Sequence, residues 1–371
     1  MPENLPKGVA MLRDATIEIA RTIESIHSDS SLSQEAKLTK VREASLDAGI
    51  YRLTQPKDIG GREASNLEQV VVYDELSGRN VVHLPGIFGP NGGVLANVGE
   101  PLRSTHLLPM LLGEKRMAFG FTEPSEAQVP TRGKISRETV TINGQKSYVT
   151  GGASADFINT LVNIEGQGPI MAVVDRETPG VEIKEVFGSI DGSHHAYIEF
   201  HNVKIPISHL VGKQGKGMST AMGQISNIRL ILAAQAVGIC RWAIEHTKAN
   251  LAKPSRDGTP LGDKEGVRLR YADMRIKTYA ARSLLYRTAR LADTEANVVN
   301  ELIATKVFAT ETVGEVIDTA IQLAGGRALQ SGHPLSELHA RVRAWKLTEG
   351  ANDILRLNLA RGDLDLNKGV L

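Results

Sequence analysis

The sequence predicts an α+β multidomain chain with an N-terminal α-helical domain over residues 1-115, a central antiparallel β-barrel or sandwich over 116-210 and a C-terminal four-helix bundle over 211-371. Three observations predict it. Apolar residues recur at three- and four-residue steps in the first and last parts. Between them they alternate with polar residues in short runs. The length, 371 residues, exceeds what one hydrophobic core usually holds.

In the first part Leu12, Ile19, Ile23 and Ile26 share one helical face. Ser31 and Ser33 are cap candidates for a second helix carrying Leu38, Val41, Ala44 and Ala48, which stops near Gly49. Asp58-Ile59-Gly60-Gly61 reads as a turn before a helix from Asn66 to Leu76. In the central part Thr139 to Ile142 and Gln145 to Val149 read as strands joined at Asn143-Gly144, because Asn-Gly tolerates the positive φ of a tight hairpin turn. Ile158 to Ile164, Ile170 to Val174, Gly180 to Ile183 and Ala196 to Ile205 supply further strands. In the last part the stripes Val267, Tyr271, Met274, Ala281, Leu285 and Leu302, Ala309, Val313, Val316, Ala320, Leu323 predict bundle helices. Asp257 to Pro260 separates the first pair and Gly325-Gly326 the last.

With 41% hydrophobic and 23% charged residues, and Lys+Arg 43 against Asp+Glu 42, the chain has the composition of an ordinary globule. A near-zero balance gives no support to a role on nucleic acid. One cysteine, Cys240, lies in an apolar run and can form no intrachain disulfide. The start, Met1 to Lys7, has neither a secretory layout nor the Arg-rich character of a transit peptide. No stretch reads as the roughly twenty apolar residues that cross a bilayer. A cytoplasmic protein without membrane attachment is the expectation.

The segment Trp345-Lys346-Leu347-Thr348-Glu349-Gly350-Ala351-Asn352 carries the sharpest chemical signal. Glu349 stands between apolar residues and a glycine before a final amphipathic helix. Desolvation by Leu347 and Trp345 would raise its pKa toward the range of a proton abstractor. Taken alone, a Glu near a helix start more often just complements the helix dipole. His194 and His195 are adjacent, point apart in a loop and lack a completing ligand set, so they read as a solvated turn or a minor ligand contact.

Two upstream segments change the weighing of Glu349: Met117-Ala118-Phe119-Gly120-Phe121-Thr122-Glu123-Pro124 and Gly144-Gln145-Lys146-Ser147-Tyr148-Val149-Thr150-Gly151-Gly152. Together with the Glu-Gly segment, in this order and over nearly the whole chain, they resemble the acyl-CoA dehydrogenase family. The resemblance implies FAD-dependent removal of two hydrogens across the α and β carbons of an acyl-CoA, with Glu349 taking the α-proton and its backbone amide helping to hold the thioester oxygen. It puts Phe121, Thr122, Tyr148 and Thr150 against the flavin ring, Gln322, Gly325 and Gly326 against the adenine half of FAD bound mainly by a neighbouring subunit, and Gln128, Arg229 and Gly350 on the substrate side. Arg229 would favour ionised Glu349, or else serve only a structural salt bridge. A related branch keeps its base just before this arginine, but Ile228 stands there and cannot accept a proton. An electron-transferring flavoprotein would be the electron outlet, and a homotetramer or heterotetramer the assembly.

Three departures stand out. Relatives follow Thr-Glu-Pro with a small-residue run, whereas here Ser125 to Pro130 is bulkier and more acidic. The diphosphate-gripping arginine before Phe-Gly is missing, and Arg256 or Lys253 would take its place in a shifted register. Ala351 replaces a common Thr. These departures keep open a partner subunit of a heteromeric acyl-CoA dehydrogenase with an incomplete site, and the scaffold also hosts flavin oxidases and monooxygenases.

Overall fold

The computed structural model describes residues 4–127, 130–212, 216–254, 258–294 and 296–365. In chain order the helices and strands are α1 (Lys7–Ser28), α2 (Gln34–Asp47), α3 (Asn66–Ser77), α4 (Leu108–Leu112), β1 (Met117–Gly120), β2 (Arg132–Ser136), β3 (Thr139–Thr150), β4 (Phe157–Ile164), β5 (Gly168–Asp175), β6 (Val181–Gly188), β7 (His194–Pro206), β8 (Leu210–Val211), α5 (Gly217–Leu251), α6 (Glu265–Ala292), α7 (Val299–Ala324), α8 (Pro334–Trp345) and α9 (Asn352–Leu364). The chain divides into two compact units, one of Met1–Phe88 with Ser226–Leu371 and one of Gly89–Ile225.

In the helical unit the caps explain where helices begin. Ser33 accepts a hydrogen bond from the Ala36 amide at the start of α2, and Ser65 with Glu68 forms a reciprocal capping box on α3. Leu12, Ile19, Ile23, Val41, Val72 and Leu76 pack α1, α2 and α3 into one core. A larger core joins α3, α5, α6, α7 and α8 through Val70, Val237, Leu285, Val313 and Leu338. By length and composition Thr220–Leu251 could cross a bilayer, contrary to the sequence reading, but 67% of its most apolar stretch is buried, which is the mark of a core helix. Fully buried Asp74 ties three helices together: it meets Arg241 of α5 and Arg282 of α6 at 2.9 Å each and accepts from the Tyr286 hydroxyl at 2.9 Å. Burial alone would raise the Asp74 pKa, but the two guanidiniums outweigh it and hold the carboxyl below its ordinary range.

In the second unit all eight strands join one mixed sheet in the order β6-β7-β3-β2-β4-β5-β8, with β1 on β4. Antiparallel pairing holds at β2–β3, β3–β7, β4–β5, β5–β8 and β6–β7. The sheet departs from the all-antiparallel expectation at β4, which pairs in parallel with both β1 and β2. Its core contains Val140, Ile142, Ile158, Val162, Val174, Ile198 and Phe200.

Asn143-Gly144 is not a hairpin turn. β3 runs straight through it, and the hairpin lies earlier, where Ser136 pairs with Thr139 and Arg137 takes φ 54°. Gly144 sits instead at a bulge against β7, and a Cβ there would come within 2.5 Å of the Thr131 Cα. Asn143 spans to Asn202, whose amide donates to the Asn143 Oδ1 at 2.8 Å. The pair therefore serves a bulge and a close approach, two uses of the same residues that periodicity cannot tell from a turn. His194 and His195 are also not a free turn, since they open β7, and the His195 ring nitrogens meet Ser193 Oγ at 2.9 Å and Thr150 Oγ1 at 3.1 Å.

Candidate active site

The loop between α8 and α9 presents Glu349 to its surroundings by an unusual backbone. Glu349 has φ 58° and Gly350 has φ 99°. A left-handed non-glycine residue is disfavoured by about 1–2 kcal/mol, so this loop needs partners that over-determine it. They are present in the helical unit. The Arg229 Nε, from α5, donates to the Glu349 carbonyl at 2.9 Å, and the Lys306 Nζ, from α7, donates to the Gly350 carbonyl at 2.9 Å. The same ammonium reaches Asn352 Oδ1 at 2.8 Å, while Asn352 Nδ2 donates to Thr310 Oγ1 at 3.0 Å. Closing the turn, the Asn352 amide donates to the Lys346 carbonyl at 2.9 Å. Only glycine suits position 350, because a Cβ there would stand 3.3 Å from both Arg229 Nη2 and Leu355 Cδ2 on a backbone already at positive φ.

Burial pushes the half-buried Glu349 carboxyl above the usual carboxylate range, against the opposing pull of Arg229 and Lys306. Leu347 contributes less to this than the sequence suggested, since it is 62% exposed, whereas Trp345 is buried. Arg229 is nearly buried, and burial lowers its pKa despite the field of Glu349. Lys306 is fully buried, and burial together with Arg229 brings its pKa down to about 8. Among the described residues no carboxylate forms an ion pair with Arg229 or Lys306, so the reading of Arg229 as one half of a structural salt bridge finds no partner there.

The second unit holds the other group of expected residues. Tyr148 lies at an irregularity of β3 with φ 54°, a conformation rare for a bulky side chain. The bulge turns its ring outward: Tyr148 is 59% exposed and meets Phe187 edge-on at 5.4 Å. Thr122 and Thr150 are exposed, and Phe121 is half-buried in a stack with Phe119 at 6.0 Å. Beneath them Lys146, 1% exposed, pairs with Glu123 at 2.7 Å, and Glu123 also accepts from the Thr131 amide at 2.9 Å. The Ser147 amide donates to the Thr122 carbonyl at 2.8 Å, so the Thr-Glu-Pro segment and β3 are locked together. Burial would raise the Glu123 pKa, but the bonds from Lys146 and Thr131 outweigh it and hold it below the ordinary value.

Gln322 is exposed near the end of α7, and Gly325, at φ 71°, and Gly326 follow with open space where a Cβ would be. Gln128 and Arg256 lie outside the described residues. Lys253, the alternative to Arg256, is exposed and donates to Asn250 Oδ1 at 3.0 Å.

Sequence reasoning brought Glu349, Gly350 and Arg229 forward and missed Lys306, Asn352 and the Lys146–Glu123 pair. The signal was available. Lys306 falls on the Leu302, Ala309, Val313 stripe, and Lys146 shares the inward parity of Val140 and Ile142 in β3. A lysine on a core-facing position asks for a buried oxygen partner.

The family pattern described as "Acyl-CoA dehydrogenase, C-terminal domain" matches residues 215–364. The "Acyl-CoA dehydrogenase" of Bacillus subtilis is 26% identical over 332 residues, covering 84% of this chain and 86% of that protein. The "Caffeyl-CoA reductase-Etf complex subunit CarC" of Acetobacterium woodii is 24% identical over 323 residues, covering 83% and 85%. Among solved structures, the FAD complex of PigA superposes with a TM-score of 0.83 at 20% identity, covering 99% of this chain and all of that one. The fold of N-terminal helices, central mixed sheet and C-terminal helices is thus shared along the whole length. Family members act on acyl-CoA substrates with FAD, and some work in complexes with an electron-transferring flavoprotein. Residues 215–364 thus carry the C-terminal domain pattern of acyl-CoA dehydrogenases, and along most of its length the chain is similar to members of that family at about a quarter identity.

Proposed function

We propose that this chain catalyses FAD-dependent α,β-dehydrogenation of an acyl-CoA thioester, with Glu349 as the base that takes the α-proton. The observation that carries the reading is Glu349 itself: a half-buried carboxyl at positive φ, raised by burial while Arg229 and Lys306 keep it ionisable. An α-proton beside a thioester is weakly acidic, and a carboxylate moved up from its ordinary value is better matched to it. The backbone amide of Glu349 would hold the thioester oxygen as charge develops there.

The residues of the second unit fit a flavin. Tyr148 offers an exposed aromatic face, and Thr122 and Thr150 offer exposed hydroxyls beside it. FAD, when bound, would accept the β-hydride. Phe121, Thr122, Tyr148 and Thr150 would hold the ring, Gln322, Gly325 and Gly326 the adenine half, and Arg256 the diphosphate. Gln128, Arg229 and Gly350 would line the substrate side. An electron-transferring flavoprotein would receive the electrons. On α6, Leu269, Ile276 and Tyr279 are 64%, 64% and 77% exposed and share one helical face, which supports a homotetramer or heterotetramer in which another chain covers them.

A second reading is reduction of an α,β-unsaturated thioester on the same residues, favoured by the name of the Acetobacterium woodii relative. Glu349 would then return a proton to the α carbon. Anaerobic spectra of the flavin-loaded protein separate the two: bleaching by saturated acyl-CoAs supports dehydrogenation, and reoxidation of the reduced protein by enoyl-CoAs alone supports reduction. For either direction Glu349→Gln is expected to keep its flavin and lose about a thousandfold or more of turnover. Turnover at the wild-type rate in that variant would end the assignment of Glu349.

A further inference from the structure

We propose that Lys306 is a positioning residue: with Arg229 it clamps the consecutive carbonyls of Glu349 and Gly350 and so fixes the orientation and charge state of the Glu349 carboxyl. The inference rests on the reading of Glu349 as the base.

The geometry is specific. Two cations from different helices each donate to one of two successive peptide oxygens, at 2.9 Å each. The peptide between those oxygens belongs to the residues at φ 58° and φ 99°, the part of the loop with the least intrinsic preference for its conformation. Without donors on both carbonyls, rotation of that peptide would swing the Glu349 side chain with it. Lys306 also bonds Asn352, the first residue of α9, so one ammonium joins the loop to the helix that follows it.

Charge follows from the same placement. Lys306 meets neutral oxygens, the Gly350 carbonyl and the Asn352 amide oxygen, and so its positive charge is not cancelled by a contacting carboxylate among the described residues. The charged groups that act on this ammonium are Arg229 of α5, which disfavours its charge, and Glu349 of the loop with Glu311 of α7, which favour it. Glu311 is engaged by Arg356 of α9 and receives the field of Lys346. Among the described residues Glu349 is therefore the carboxylate without a contacting cation toward which the Lys306 field is directed. A buried ammonium that contacts only neutral oxygens acts at a distance on the nearest free carboxylate, and removing it must raise that carboxylate's pKa.

The test compares flavin-loaded wild type, Lys306→Met, which keeps length and loses charge, and Lys306→Arg, which keeps charge. Butyryl-CoA is the probe, with a dye as electron acceptor and with exchange of its α-hydrogen into heavy water followed separately. Lys306→Met is expected to lose about ten- to a hundredfold in kcat and in α-exchange with KM changed by less than about threefold, because misplaced geometry costs the chemical step more than binding. The acid limb of its pH profile is expected to move up by about half a unit, while Lys306→Arg keeps the wild-type limb. The carboxyl's own titration, read by carbon-13 NMR with Glu349→Gln as the blank, is expected to move the same way without any substrate present. Should wild type act on no acyl-CoA, the functional reading fails, and the titration still decides the clamp. An unchanged kcat together with an unchanged Glu349 titration in Lys306→Met would overturn the proposal. If Lys306→Met does not fold, Lys306→Gln takes its place: an upward shift of the Glu349 titration there supports the proposal, and an unshifted one overturns it.

Discussion

Two fully buried lysines stand under the two groups of candidate site residues, and they are held in opposite ways. Lys146 meets a carboxylate, Glu123, at 2.7 Å, whereas Lys306 meets only a peptide carbonyl and an amide oxygen. Burial lowers the pKa of both. For Lys146 the hydrogen bond and charge of Glu123 oppose that fall, whereas Lys306 drops to about 8. The difference separates two tasks. A lysine with its own carboxylate is electrically closed and ties the Thr-Glu-Pro segment to β3. A lysine on neutral oxygens keeps a field that reaches a neighbour, at the cost of being the less comfortable cation.

The contrast can be broken or sharpened by substitution. Lys146→Met should have the largest effect on stability, a loss of about 3 kcal/mol, because it leaves Glu123 partly buried without its cation. Since both tryptophans, Trp242 and Trp345, lie outside Gly89–Ile225, the loss should show in the far-ultraviolet dichroism of urea unfolding ahead of any change in tryptophan fluorescence. Glu123→Gln with Lys146→Met should recover part of it, and a fully additive pair would refute the coupling.

Gly350→Ala comes next, at about 1–3 kcal/mol, from a side chain forced onto positive φ beside Arg229 and Leu355. Its unfolding should be visible through Trp345, and an unchanged midpoint would show that the loop relaxes freely. Lys306→Met should lower stability by about 2 kcal/mol, the net worth of hydrogen bonds with one charged partner, and by less than Lys146→Met because it strands no carboxylate, while lowering kcat far more. A stability loss as large as that of Lys146→Met would erase the distinction between the two lysines.

The smallest effect has the opposite sign. Glu349 has a folded pKa above its ordinary value of 4.5, so its contribution to stability is present below that value and is lost as pH rises through the raised one. Glu349→Gln should therefore be slightly more stable than wild type at neutral pH and no more stable below pH 4 or thereabouts. Glu123 runs the other way: its pKa is depressed, so its contribution is present at neutral pH and is lost on acidification. Thermal melts from acid to neutral pH on the two Gln variants would display the crossing.

Helix periodicity made the helical parts legible, because an amphipathic stripe such as Leu302 to Leu323 is written at fixed steps and buried as written. The strands were legible as runs but not as partners. β1 is too short to announce itself, and nothing in an alternating pattern says that β4 takes parallel neighbours. Asn143-Gly144 misled because its composition suits a turn while its use depends on Thr131, distant in the pattern and close in space. At the candidate site the residue types were readable and the backbone was not. Among the described residues seven non-glycine positions have positive φ, and two of them are Tyr148 and Glu349, a coincidence no side-chain pattern could announce. Near each lies a buried lysine, Lys146 in β3 and Lys306 in α7, whose place on a core-facing position is written in the sequence while its oxygen partners are not.

Cys240 is wholly enclosed in the helical core, and burial pushes its thiol far above its ordinary range. With no other sulfhydryl in the chain, the native protein should be silent toward maleimides and disulfide reagents at neutral pH. A reporter dye attached through Leu347→Cys, two positions before Glu349 and open to water, would then label one place in every molecule. The polarity around the loop could then be read, with and without a bound thioester, in an otherwise unaltered background.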